Sequence, residues 1–132
     1  MDDLYREYIL EHYKSPHNKG DIAHPDRFAA YANPFCGDRL QMGVRLEGDR
    51  VVEVRFNGTG CAISQASASM LTDEIQGKTL AELAEITKED IFEMLGIPLS
   101  PARQKCALLA WEVLRKGILR LDEDTAEESD LA

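Results

Sequence analysis

The chain has 132 residues, 44% of them apolar and 30% charged, enough for one globular domain that buries its own core. The formal net charge is −9, and the run DEDTAEESD from Asp122 to Asp130 supplies six acids and no bases, leaving −3 for the rest of the chain and no basic patch to attract a nucleic acid. No apolar run reaches the length of a membrane span, and the acidic opening MDDLYREYIL lacks the basic start of a secretory signal, so the expectation is a cytoplasmic protein without nucleic-acid or membrane partners.

Leu4, Tyr5, Tyr8, Ile9, His12 and Tyr13 recur at helical spacing until SPHNKG breaks the pattern, which predicts an opening amphipathic helix with its aromatic residues packed inward. An extended segment is expected around RFAAYANP. Leu40, Met42, Val44 and Leu46 then alternate up to a Gly-Asp turn, and Val52, Val54 and Phe56 alternate on the return, giving a hairpin. NGTG from Asn57 to Gly60 ends the second hairpin strand. A helix to about Ile75 follows it, and its small residues (Ala62, Ser64, Ala66, Ser67, Ala68, Ser69) suit close backbone packing.

TLAE at Thr79 and TKED at Thr87 each place an acid three residues after a hydroxyl, the local pattern that starts a helix. The last helix opens on Ser100 and Pro101, with an apolar stripe of Cys106, Leu109, Ala110, Val113, Leu114 and Ile118. One helix, then strands, then several helices reads as α+β: a small antiparallel three-stranded sheet packed on one side by about five helices. The domain is expected to span residues 1–120. The acidic tail, 121–132, cannot bury enough apolar surface to offset its ordering entropy and is expected to be disordered.

Three cysteines at 36, 61 and 106 are an odd set with wide spacing, which argues against a disulfide framework and for free or metal-bound thiols. Cys106 on an apolar stripe also reads as a core residue. Cys61 at a strand-to-helix corner lies near backbone N–H groups that favour a thiolate, although a small residue there also serves packing. In NPFCGD, Pro34 and Gly37 suggest a turn that exposes Cys36, with Asp38 two residues on and able to project to the same side. An aspartate bonded within its own turn is the alternative.

Together, three thiolates and one carboxylate make a tetrahedral set for zinc or iron. No close C-x-x-C pair marks a structural zinc site. An oxygen ligand also exchanges more readily than a fourth thiolate, so the set reads as a transient site in which Asp38 leaves first. His12, His17 and His24 could activate a thiol folded against them, but none sits in a recognisable cysteine-hydrolase context. Dithiol redox chemistry would need tertiary folding to bring two thiols together.

The segments LYREYILEHYKSPHNKG, NPFCGD, FNGTGCAISQASASMLTDEIQGK and PARQKCALLAWEVL resemble the IscU/SufU/NifU N-terminal family of iron–sulfur cluster assembly proteins, from about Leu4 to Leu119. The resemblance implies a SufE/IscU-like α+β fold in which Cys36, Asp38, Cys61 and Cys106 meet at one exposed end. They would hold a transient iron–sulfur cluster, [2Fe-2S] being the expected form, or Zn2+. It further implies sulfur acceptance on Cys36 or Cys106 from an IscS/SufS-like cysteine desulfurase and cluster transfer to apo-protein acceptors.

Two features of the sequence divide the family's branches. The chain resembles the IscU type in lacking the insertion that SufU-type proteins carry between the second and third cysteines. Lys105, rather than the IscU-type histidine, precedes Cys106, and Arg103 in PARQKC resembles the SufU pattern, so both are supporting residues of the expected site. A lysine is normally a cation and does not ligate metal at neutral pH. GIPLSPARQK only loosely resembles the loop that an Hsp70-type chaperone recognises. The expected function is a cluster assembly scaffold. A SufU-like zinc-dependent sulfurtransferase is the alternative, and a zinc-stabilised interaction module is the third class.

Overall fold

The computed structural model describes residues 2–33 and 37–120, with side chains from residue 6 onward. The expectations for Cys36 and for the acidic tail fall outside these residues. Helix α1 (Asp2–Lys14) is followed by strands β1 (Arg27–Ala32), β2 (Arg39–Glu47) and β3 (Arg50–Thr59), then helices α2 (Ala62–Ile75), α3 (Leu80–Leu83), α4 (Lys88–Leu95) and α5 (Pro101–Glu112). Among the described residues the sheet is three-stranded and antiparallel, as the sequence predicts, with the order β1-β2-β3.

The β2–β3 hairpin turns at Gly48 and Asp49. Of these two only Gly48 has a positive φ, 62°, the signature of a type II′ turn. The pairing slips between Arg45 and Leu46, where Arg45 faces Glu53 but Leu46 faces Val51, leaving Val52 as the extra residue of a β-bulge. The bulge reverses the phase of alternation at the start of β3. Val51, Val54 and Phe56 therefore enter the core, while Val52, expected to share their face, is 42% exposed.

The small residues of α2 let neighbours approach on two sides. Ser67 Oγ donates to the Ala107 carbonyl oxygen at 2.7 Å, tying α2 to α5, and Ser69 Oγ meets His12 Nδ1 of α1 at 2.6 Å. The aromatic residues of α1 depart from expectation. Among its described side chains Ile9 and His12 are buried, while Tyr8 and Tyr13 are about half exposed, because the helix turns a narrow face to α2. Tyr8 instead sets its ring edge-on against His12, with centroids 4.7 Å apart.

Both expected capping boxes form. Thr79 caps α3 with Glu82 bonding back, and Thr87 caps α4 with Asp90 doing the same. Gly96 closes α4 in the left-handed region at φ 73°. Helix α5 starts on Ser100 and Pro101 as read, and it continues as a π-helical turn, Val113–Ile118, in which the Leu119 N–H donates to the Leu114 carbonyl at 2.8 Å. That turn brings Gly117 so close to Ala29 of β1 that any side chain at 117 would collide with it. The core lies between the sheet and these helices, with Leu40, Met42, Phe56, Leu71, Ile75, Leu114 and Ile118 fully buried.

Candidate metal centre

Three chain corners converge at one end of the fold. The β1–β2 connection is closed by Asn33, whose N–H donates to the Asp38 carbonyl at 2.8 Å and whose carbonyl accepts from the Gly37 N–H at 2.8 Å, with Gly37 at φ 77°. This delivers Asp38 to the start of β2. Because Arg39 pairs with Thr59, Asp38 lies beside the last residues of β3. The second corner is Cys61, extended at φ −74° and ψ 170° in the N-cap position of α2. The third is Cys106, in the second turn of α5 and held alongside α2 by the Ser67 bond to its neighbour Ala107.

One ligand atom each from Asp38, Cys61 and Cys106 lies within 4.8 Å of the others. Cys61 is exposed, Cys106 is 7% exposed and Asp38 is 5% exposed, so the cluster opens to solvent on the Cys61 side. Asp38 Oδ2 is fully buried with no hydrogen-bond partner among the described residues. An ionised carboxylate oxygen in that position is costly unless a cation or donor meets it. The two thiol sulfurs beside it are the soft partners that a zinc or iron ion would add.

Gly60 is part of this arrangement, and the sequence reading treated it only as a strand terminator. A Cβ on residue 60 would stand 2.8 Å from Asp38 Cγ and 2.5 Å from Ser64 Oγ, so the carboxylate packs against bare backbone. Ser64 was likewise read only as a small packing residue. Its Oγ donates to the Cys61 carbonyl at 3.1 Å and lies 4.0 Å from Cys61 Sγ. The available signal was a glycine directly before the cysteine and a hydroxyl one helical turn after it. Arg103 is exposed in the first turn of α5, one turn before Cys106 on the same helix face, and Lys105 is half-buried next to Cys106. Of the three histidines considered as thiol activators, His12 and His17 gather against Ser69 and Asp73 instead.

The model of the NifU-like N-terminal domain matches residues 4–128, beginning where the sequence motifs begin and running past Leu119 into the acidic run. The chain belongs to this family. It is 38% identical to the zinc-dependent sulfurtransferase SufU of Bacillus subtilis (strain 168), over 91% of this chain and 92% of that one. It is 32% identical to the iron–sulfur cluster assembly scaffold protein IscU 1 of Archaeoglobus fulgidus, over 88% of this chain and 75% of that one.

Among solved structures, FiSufU of Fervidobacterium islandicum AW-1, assigned to iron–sulfur cluster assembly for the SUF system, superposes with a TM-score of 0.71 at 29% identity. It covers 85% of this chain and 94% of its own. The match to SufU extends over 137 residues, more than this chain contains, so that relative carries residues with no counterpart here. The match to the archaeal IscU, over 116 residues, has no such excess. Among the described residues no helix is long and apolar enough to cross a membrane.

Proposed function

We propose that the protein is an iron–sulfur cluster assembly scaffold that accepts sulfur from a cysteine desulfurase, holds a labile cluster and passes it to apo-proteins. The observation that carries this reading is the buried Asp38 carboxylate, one oxygen of it unpartnered, with a carboxylate oxygen and the Cys61 and Cys106 sulfurs all within 4.8 Å of one another, a mixed oxygen and sulfur set suited to a metal that must later leave. Cys36, two residues before Asp38, is the proposed third thiolate. Residues 1–120 form the proposed working domain, with 121–132 as an appended acidic tail, in the cytoplasm.

The sulfur step requires only thiolate chemistry. A thiolate of Cys36 or Cys106 attacks the terminal sulfur of the desulfurase persulfide, one S–S bond forms as another breaks, and the desulfurase cysteine departs as a thiolate with no net redox change. The N-terminal end of α2 adds its partial positive charge on the Cys61 side, and Lys105 and Arg103 add positive charge on the Cys106 side. A [2Fe-2S] cargo built from two ferrous ions and two sulfane sulfurs requires four electrons at sulfur. Iron oxidation supplies two of these, and an external thiol- or ferredoxin-class donor must supply the other two.

A zinc-dependent sulfurtransferase is the second reading, favoured by the 38% identity to SufU and by Arg103 and Lys105 in PARQKC. Sulfur transfer from a cysteine desulfurase, run with and without Zn2+ and followed by persulfide mass spectrometry and cluster absorbance, separates the two. A scaffold assembles a cluster when given iron and accepts sulfur without zinc. Strong zinc-dependent stimulation of the desulfurase with no cluster ever forming would establish the second reading instead.

A further inference from the structure

Asp73 lies twelve residues beyond Cys61 along α2, about 18 Å at the helical rise, and there a second group of ligand-type side chains gathers that the thiolate site does not use. One donor atom each from His12, His17 and Asp73 lies within 4.8 Å of the others. Ser69 Oγ organises the group, meeting His12 Nδ1 at 2.6 Å and accepting the His17 backbone N–H at 2.7 Å. Asp73 Oδ2 meets His17 Nδ1 at 2.6 Å, and Asn18 Nδ2 donates to Asp73 Oδ1 at 2.9 Å. The two imidazole rings stand 4.5 Å apart and tilted by 49°.

The geometry points to a second, independent metal site at the α1–α2 junction, in which His12, His17 and Asp73 bind a divalent first-row transition-metal ion. Two imidazoles and one carboxylate are a donor set for Fe2+, Co2+ or Zn2+ rather than for Mg2+ or Ca2+, which prefer oxygen alone, and water would complete the shell. Donors around such an ion stand about 3.3 Å apart at bond lengths near 2.0 Å, so the His17–Asp73 contact at 2.6 Å must open and any wider separation, none above 4.8 Å, must close. His17 and Asp73 are exposed and free to make that adjustment, while His12 is fixed by burial. Burial, and then the neighbouring His17, hold the His12 pKa below its ordinary value, which keeps the imidazole neutral and able to ligate near neutral pH. An ion here would clamp the loop after α1 to the helix that carries Cys61.

Cobalt titration of the full chain tests the proposal, because Co2+ bound to thiolates shows near-ultraviolet charge-transfer bands that nitrogen and oxygen ligation lacks. The expected result is a bound equivalent with d–d bands but no thiolate band, accompanied by shifts of the His12 and His17 ring resonances. His17→Ala and Asp73→Asn, both at exposed positions, should each weaken this equivalent at least tenfold while leaving the thiolate bands unchanged. Zn2+ and Fe2+ should compete for it. Absence of an equivalent free of thiolate bands, or one indifferent to both substitutions, would show that the cluster is only a hydrogen-bonded clasp and overturn the proposal.

Discussion

The N-terminus of α2 differs from those of α3, α4 and α5. Each of the latter begins on a hydroxyl whose oxygen accepts a backbone N–H of the first turn: Thr79 from Glu82, Thr87 from Asp90 and Ser100 from Arg103. Two of the three add a complete capping box. At α2 the same position is taken by Cys61, which makes no side-chain cap among the described residues, and beside it lies the carboxylate oxygen of Asp38 without a partner. A chain that caps α3, α4 and α5 with hydroxyls leaves α2 without such a cap where a thiol and a carboxylate meet. Under the proposed function, stability is given up at that corner in exchange for metal ligands, which is where local rules are expected to be broken.

The largest expected effect breaks this contrast from the metal side. Cys61→Ser or Cys106→Ser should weaken metal binding at least a hundredfold, measured by competition with a chelator. Unchanged affinity in either variant would make that cysteine an ordinary packing residue. Next comes Asp38→Ala. Removing the exchangeable oxygen should slow cluster release to an apo-acceptor about tenfold while sulfur acceptance persists, and relief of the orphaned buried carboxylate should raise metal-free stability by ~1–2 kcal/mol. Faster cluster loss than in the parent chain would make Asp38 a stabilising ligand rather than a leaving one.

Smaller effects sharpen the comparison itself. Serine is a better N-cap than cysteine, so Cys61→Ser should raise metal-free stability by about 0.5–1 kcal/mol, whereas Thr79→Ala and Thr87→Ala should each lower it by ~1 kcal/mol. Denaturant midpoints of the metal-free chains read both signs, and a destabilised Cys61→Ser would show that the thiol packs rather than waits.

The pH dependence tests the far half of α2. His12 has a pKa below 6.5 in the fold, through burial first and the charge of His17 second, with Asp73 and Glu11 opposing. Its contribution is therefore intact above about pH 6.5 and is lost as pH falls through the lowered value, where protonation favours the unfolded chain. The midpoint of unfolding should drop over that window, and His12→Gln should flatten the drop.

What the sequence disclosed follows from the range of the forces involved. The caps at Thr79, Thr87 and Ser100 were legible because donor and acceptor lie three residues apart. The order of strands and helices was legible because burial imposes its period on each segment. Val52 was misplaced because the bulge that flips it depends on how β3 registers on β2, a relation between segments. The π-helical turn after Glu112 was unread for a similar reason, since it accommodates the approach of Gly117 to Ala29 on β1. At the candidate metal centre the sequence named the ligand types but not Gly60, whose role is to leave room for a carboxylate arriving from another strand. The grouping of His12 and His17 with Asp73 had no local trace, because 56 residues separate His17 from its partner.

X-ray absorption spectroscopy of the zinc-loaded or iron-loaded chain carrying His17→Ala, which empties the histidine site proposed above, tests the central claim most directly, because it counts ligand atoms around the metal. For zinc, the account predicts three sulfurs at about 2.3 Å and one oxygen near 2.0–2.2 Å, with the oxygen contribution altered in Asp38→Ala and one sulfur lost in each cysteine variant. A shell of nitrogen and oxygen alone, or a sulfur count that no cysteine substitution changes, would contradict it.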